Sequence, residues 1–327
     1  MKQIFGTILA LLFLASCQDG PKKKYKPQSL GALNTVAVVM DDHMWKGPVG
    51  DQVRELFAAP QIGLTWDEPQ FSLEHIPPSV FKGTTRHRRS VLYVSLDTIS
   101  GAQIREDLYA APQRVGVIKA VNDSILIQTV ATYADRIMSA IRDMELGEAQ
   151  QRFLRSLSKD TILSDKFGIT MRLPSVYKVG KQEENFVWID REIQKGSMNL
   201  VAYELPGSAL KNDSTLVSDI VRLRDSIGQL YIPGPDVPNK ITYMGTEKAF
   251  APAVFQTEFN GMQAIEVRGI WEIVNYPMAG PFLTYIIKDP KQDRYVVLEG
   301  FTFAPATNKR DYMFELEAII KTAEIRN

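Results

Sequence analysis

The chain has a single cysteine in 327 residues, at position 17. That limits how the rest of the molecule can be held together. There is no second thiol to close a disulfide and no thiolate pair to found a structural zinc site. His43, His75 and His87 fall in separate segments without ligand spacing, so neither a metal nor another cofactor is expected. The folded part must therefore rest on apolar burial. Its composition is suited to that, with 45% hydrophobic and 23% charged residues, both ordinary globular values. Roughly 290 residues can bury one large core or two smaller ones.

The cysteine closes a distinctive N-terminal segment. Lys2 precedes an almost wholly apolar run from Ile4 to Leu14, broken only by Gly6 and Thr7. The run is about half the ~20 residues a spanning helix needs and has the proportions of a secretory signal. Leu14-Ala15-Ser16-Cys17 resembles the lipobox of bacterial lipoproteins. The resemblance implies that residues 1–16 are a signal peptide. Cys17 would then become the N-terminus and carry a thioether-linked diacylglycerol and an N-acyl chain, making membrane lipid its partner. Two lipid signals suffice for stable anchoring. Gln18 stands where an Asp can mark inner-membrane retention, and Asp19 is followed by lysines rather than an acidic run. The expected location is the outer membrane, facing the periplasm. Residues 17–33, rich in Pro, Gly and Lys, read as a flexible tether. Lysine plus arginine and aspartate plus glutamate each total 38, and removing residues 1–16 deletes Lys2 alone, leaving 37 against 38. A net charge near −1 argues against nucleic acid as a partner.

Beyond the tether, hydrophobic periodicity predicts two α+β units, residues 34–164 and 165–327, each an antiparallel sheet packed with a few helices. In the first, Thr35–Met40 and Ser90–Leu96 read as strands, Asp41–Trp45 as a loop, and Pro48 as the start of a helix. Asn122-Asp123 suggests a hairpin between Val115–Val121 and Ser124–Val130. The face Tyr133, Ile137, Ile141 and Met144 then predicts a helix, interrupted at Gly147. In the second unit, strands are expected at Phe167–Leu173, Val176–Val179, Phe186–Ile193, Met198–Leu205 and Ile241–Gly245. Further strands follow at Ala253–Phe259, Gln263–Val274, Leu283–Lys288 and Tyr295–Phe303. Asn260-Gly261 is a two-residue hairpin signal. Helices are expected over Leu216–Ile227 and Lys309–Ile325.

Four stretches, Trp45-Lys46-Gly47-Pro48-Val49-Gly50-Asp51, Glu68-Pro69-Gln70-Phe71, His75-Ile76-Pro77-Pro78 and Arg88-Arg89-Ser90-Val91-Leu92, together with the lipobox, resemble a family of uncharacterised envelope lipoproteins from Bacteroidota, defined as a domain of unknown function. The resemblance implies no enzymatic role and no site residues. The second half also resembles the PsbP-like fold in element order. Bacteria of this group O-glycosylate exported proteins at Asp-Ser or Asp-Thr followed by an apolar residue or Thr. Thr98, Ser124, Thr161, Ser214 and Ser226 are candidates on that pattern, although Asp-Ser and Asp-Thr also favour turns and helix starts.

Little catalytic chemistry is visible. Asp41-Asp42-His43 follows a buried strand, a place where α/β proteins put ligands, and is the best candidate for a metal- or water-holding cluster. Ser-x-x-Lys occurs at Ser79, Ser156 and Ser175 in unrelated contexts without its supporting motifs. Glu266 and Glu272 share a strand face but lie about 20 Å apart at strand rise, too far for a glycosidase pair. Arg88 and Arg89, in a basic run, are candidates for an anionic ligand, and Trp271 for a sugar- or lipid-facing surface. The expected function is a non-catalytic binding or scaffolding module with envelope protein partners. The alternatives are a hydrolase or metal-dependent enzyme centred on Asp41, Asp42 and His43, and a glycan or lipid carrier using the C-terminal unit.

Overall fold

The computed structural model describes residues 25–327 apart from Thr65, Asn212 and Asn327. Residues 1–24, with Cys17 and the expected signal peptide, lie outside the described residues. The expected tether ends earlier than position 33. Ser29 N donates to Ala111 O at 3.1 Å, Leu30 N donates to His87 O at 2.7 Å, and Arg89 N donates to Leu30 O at 2.9 Å. Residues 27–33 are thus laid against the first unit.

That unit begins with β1 (Thr35–Val39), a short helix α1 (Asp42–Trp45) where a loop was expected, and α2 (Pro48–Phe57). Pro48 opens α2 because its missing N–H is not needed there. Then come β2 (Ser72–Ile76), two 3₁₀ turns, β3 (Ser90–Leu96), β4 (Gly101–Glu106), β5 (Arg114–Ala120) and the long helix α3 (Asp123–Phe153). The strand order is β2-β1-β3-β5-β4. Three of the four pairings are parallel and only β4–β5 is antiparallel. The expected α+β character holds, but this sheet is mixed where an antiparallel one was expected. The near-continuous apolar runs of β1 and β3 belong to buried parallel strands. Asn122-Asp123 is not a hairpin turn. Asn122 caps α3 by accepting from Ile125 N at 3.0 Å, and α3 runs unbroken through Gly147. Val36, Val38, Leu92, Val94 and Ile118 pack against Val53 and Phe57 of α2 and Leu126, Val130 and Ile137 of α3.

The second unit opens with α4 (Ile162–Phe167) and the two-residue strand β6 (Ile169–Thr170), where a longer strand was expected. The chain turns at Gly168, which has φ 67°, a left-handed conformation that glycine adopts without strain. Next come β7 (Lys178–Glu183), β8 (Phe186–Ile193), β9 (Gly196–Pro206), α5 (Leu216–Tyr231) and β10 (Met244–Thr246). The chain finishes with β11 (Ala253–Phe259), β12 (Met262–Ile273), β13 (Tyr276–Asp289), β14 (Arg294–Phe303), α6 (Arg310–Ile320) and β15 (Glu324–Ile325). The main sheet has eight strands in the order β10-β12-β13-β14-β9-β8-β7, with β11 also paired to β12, and all its pairings are antiparallel. Both faces are covered: Leu200, Leu298, Leu316 and Ile320 meet on the α6 side, and Phe186, Tyr203, Trp271 and Ile220 on the α5 side. A buried clamp joins α5 to the sheet. Arg224 donates to both carboxylate oxygens of Glu299, at 3.0 and 2.7 Å, and its guanidinium lies 3.8 Å from the Phe282 ring centroid.

The two units are fastened by α3 and α6. The far end of α3 packs Leu146 and Ala149 against Phe314 and Ala318. Glu68, buried in a loop of the first unit, accepts from Lys309 N and Arg310 N at 2.7 to 2.9 Å. It thereby satisfies free N–H groups at the start of α6, where the helix dipole favours negative charge. Glu317 of α6 receives Arg142 from α3 at 2.5 Å and Arg268 from β12 at 3.0 Å.

Candidate functional site

A large opening lies where the two units and the incoming chain meet. It is a cavity of about 580 Å³, within the usual size of small-molecule sites, which favour domain junctions. Leu33, the end of α3, the loop before β7, Arg191 of β8 and one side of α6 line it. Its walls follow from local structure. The chain leaving α3 pairs with the segment before β7: Ser175 N donates to Ser156 O at 3.0 Å, and Ser158 N donates to Leu173 O at 2.8 Å. The hydroxyls of Ser156 and Ser175 lie 2.7 Å apart at that seam. The larger apolar lining residues are Leu33, Phe153, Pro174, Val176 and Tyr312.

Three arginines reach this groove, and two of them are already paired. Arg191 donates to Glu315 at 2.6 Å and Arg152 to Glu148 at 2.8 Å. Glu315 also accepts from Tyr177 Oη at 2.8 Å. Burial pushes the Tyr177 hydroxyl well above the ordinary tyrosine range, and the neighbouring Glu315 charge adds to the rise. Burial pulls Arg191 downward, but Glu315 and Tyr177 together outweigh it and hold the guanidinium above its usual value. Asp311 accepts from Asn34 Nδ2 at 3.1 Å and Arg310 Nε at 2.9 Å. Arg155 makes no ion pair among the described residues.

A family model for a domain of unknown function, DUF4837, matches residues 156–322, half of the chain. The chain belongs to the DUF4837 family. A second model, the domain of unknown function DUF8532, matches residues 29–154. The groove is thus lined by residues of both matched regions. No curated protein matches this DUF4837 chain. Among solved structures it is similar to a crystal structure from Bacteroides thetaiotaomicron, at 12% identity and a TM-score of 0.27, over 49% of this chain and 45% of that one. It is also similar to the Ran-binding protein Mog1p of Saccharomyces cerevisiae, at 9% identity and a TM-score of 0.31, over 48% of this chain and 89% of that one. The chain therefore spans under half the length of the Bacteroides structure.

Within the DUF4837 region, Trp271 does not present a ligand surface. It is 1% exposed, packed edge-on to Phe301 with ring centroids 5.9 Å apart, and its indole N–H has no partner among the described residues. Glu266 is occupied by Arg268 and by the Tyr285 hydroxyl, at 2.5 and 2.8 Å. Glu272 lies apart from it, with its carboxyl raised by burial and by the neighbouring Glu247.

In the DUF8532 region, Asp41, Asp42 and His43 are exposed at the start of α1 and line none of the cavities described. They do not converge. Asp42 instead approaches His75, with Oδ1 3.8 Å from Nδ1. The His75 ring stacks on Trp45 at 4.9 Å, and its Nε2 lies 2.9 Å from Met40 O. A carbonyl only accepts, so Nε2 carries the proton. Groups of three or more metal-ligating side chains are absent among the described residues. The two arginines offered for an anion are both engaged. Arg88 pairs with Glu74 at 2.8 Å, while Arg89, 2% exposed, pairs with Glu145 at 3.0 Å and donates to the carbonyls of Gly31 and Ala32. The glycosylation candidates Thr98, Ser124, Thr161, Ser214 and Ser226 are all exposed. Ser226 lies within α5 and donates to Leu223 O at 2.7 Å. The groove itself was not foreseen. Its lining comes from segments far apart in the chain, and Arg152, Arg155 and Arg191 carry no local signature.

Proposed function

We propose that the protein is a lipid-anchored envelope module that binds a ligand without transforming it, and that the junction groove is its binding site. The observation that carries this reading is the groove itself. It is a mixed apolar and polar cavity of about 580 Å³, walled by elements that Glu68, Arg142 and Glu317 lock in place. A preformed cavity on fixed elements suits binding. Arg152, Arg191 and Asp311 around it sit in ion pairs rather than in a nucleophile–base couple.

Anchoring rests on Leu14-Ala15-Ser16-Cys17. In this proposal Cys17 is acylated, and the body faces the periplasm from the outer membrane. No described helix is long and apolar enough to cross a membrane, so attachment would depend on the acyl chains. Exposed Thr98, Ser124, Thr161 and Ser214 belong to the same proposal as O-glycosylation acceptors.

Two measurements test the reading. Growing the native host with radiolabelled palmitate should label the mature protein, and Cys17→Ala should abolish the label. An unlabelled protein released by osmotic shock would sink the anchoring. Native mass spectrometry of the gently extracted protein should show bound small molecules. These should be lost in Val176→Trp, which fills the groove from an exposed lip position. Identical spectra from both proteins would remove the groove from the proposal.

A further inference from the structure

Taking the junction groove as the binding site, we infer that its ligand is a single-chain amphiphile with an anionic head, the head held by Arg155 with the hydroxyls of Ser156 and Ser175. The inference deepens the reading above and depends on it.

Charge balance within the groove points to the head group. Arg152 is neutralised by Glu148, Arg191 by Glu315, and Asp311 by Arg310. Arg155 remains: among the described residues it has neither a carboxylate within 4.0 Å nor a hydrogen bond from its guanidinium. A guanidinium offers five N–H donors in a planar fork that matches a carboxylate or phosphate. Ser156 adjoins it in sequence, and the Ser156 and Ser175 hydroxyls, 2.7 Å apart, each keep donor or acceptor capacity for a head group. Arg155 and Ser156 are exposed to solvent, so the guanidinium is free to pair with one negative charge on the occupant.

The rest of the wall calls for hydrocarbon. Leu33, Phe153, Val176 and Tyr312 line the cavity together with the polar seam, and Val176 is exposed. A polar metabolite would leave these surfaces unmatched, while an alkyl chain would bury them at about 25 cal/mol per Å². A cationic or zwitterionic amphiphile would bring a positive charge beside Arg155. The position of the groove fits such a ligand. Leu33 lines it, sixteen residues after Cys17. If Cys17 is anchored, that length of chain keeps the groove within about 55 Å of the bilayer surface.

The test is calorimetric titration of the full chain with laurate, dodecyl phosphate, dodecyl maltoside and dodecyltrimethylammonium, each below its micellar concentration. Laurate and dodecyl phosphate should bind at least tenfold more tightly than the other two. Arg155→Glu should weaken both anions at least tenfold and leave the melting temperature unchanged, because Arg155 holds no structural pair. Val176→Trp should weaken every probe. Equal binding of all four chains, abolished by Val176→Trp, would overturn the anionic assignment and leave the groove as the site. Binding unaffected by Val176→Trp, or no binding by the unaltered chain, would overturn the inference, and the native mass spectra decide the groove separately. Uptake of laurate from phosphatidylcholine vesicles, compared with uptake from buffer, distinguishes a bilayer source from a free one.

Discussion

Arg88 and Arg89 show how much one position matters. In the sequence they are equal members of a basic run, yet Arg88 stands half-exposed beside Glu74, and Arg89 is sealed against Glu145 and the backbone of Gly31 and Ala32. The partner that decides the difference is 56 residues away on α3, so nothing local announces it. Burial pushes the Glu145 carboxyl up, opposed by Arg89 and by the Ser90 hydroxyl, which donates to it at 2.6 Å. Removing one member of such a buried pair leaves the other charge uncompensated, at about 3–5 kcal/mol. Arg89→Ala is expected to lose that much stability in urea unfolding. Arg88→Ala should lose under about 1 kcal/mol, as exposed pairs do. Similar midpoints for the two variants would contradict the burial argument.

At the scale of elements, α3 was partly legible. Leu126, Val130, Ala134, Ile137, Ile141, Glu145 and Ala149 are buried along one side. Their spacing of three and four begins ahead of the helix start inferred from Tyr133. Asn122-Asp123 concealed it, because the same pair serves as a hairpin turn or a helix cap. At Asn260-Gly261 the turn reading holds: φ is 50° and 80° at the two residues, and β11 and β12 pair across them. Asn122→Ala should therefore cost about 1 kcal/mol through loss of the cap to Ile125. Gly147→Ala should act in the opposite direction. A Cβ there would meet nothing within 4 Å, so alanine should add about 0.5–1 kcal/mol. Thermal melts of the two variants should move in opposite directions. The mixed strand sense of the first sheet was harder to read. Apolar runs identify buried strands, but their relative direction depends on how the connections cross, which periodicity does not encode.

At the scale of the whole molecule, the α+β class and the second sheet were legible, whereas the groove was not. Periodicity reports one face of one element, and the groove needs elements from Leu33 to Glu315 brought together. Glu317 is the residue on which that assembly can be tested. Burial alone would raise its carboxyl, but Arg268, Arg142 and Lys321 together outweigh burial and bring its pKa down from 4.5 to about 2. Since the folded value lies below the unfolded one, the contribution is present above about pH 4.5 and is lost as pH falls toward 2. That lowering amounts to about 3 kcal/mol, of which about 2 kcal/mol should be gone by pH 3. Glu317→Gln removes this titration and leaves the other carboxylates in place. The difference in unfolding free energy between the unaltered chain and Glu317→Gln should be greatest near pH 7 and shrink by about 2 kcal/mol at pH 3. Arg142 comes from α3 in one unit and Arg268 from β12 in the other, so the stability lost is that of the junction on which the groove walls stand. A difference constant from pH 7 to pH 3 would mean that Glu317 does not hold the units together as a charge.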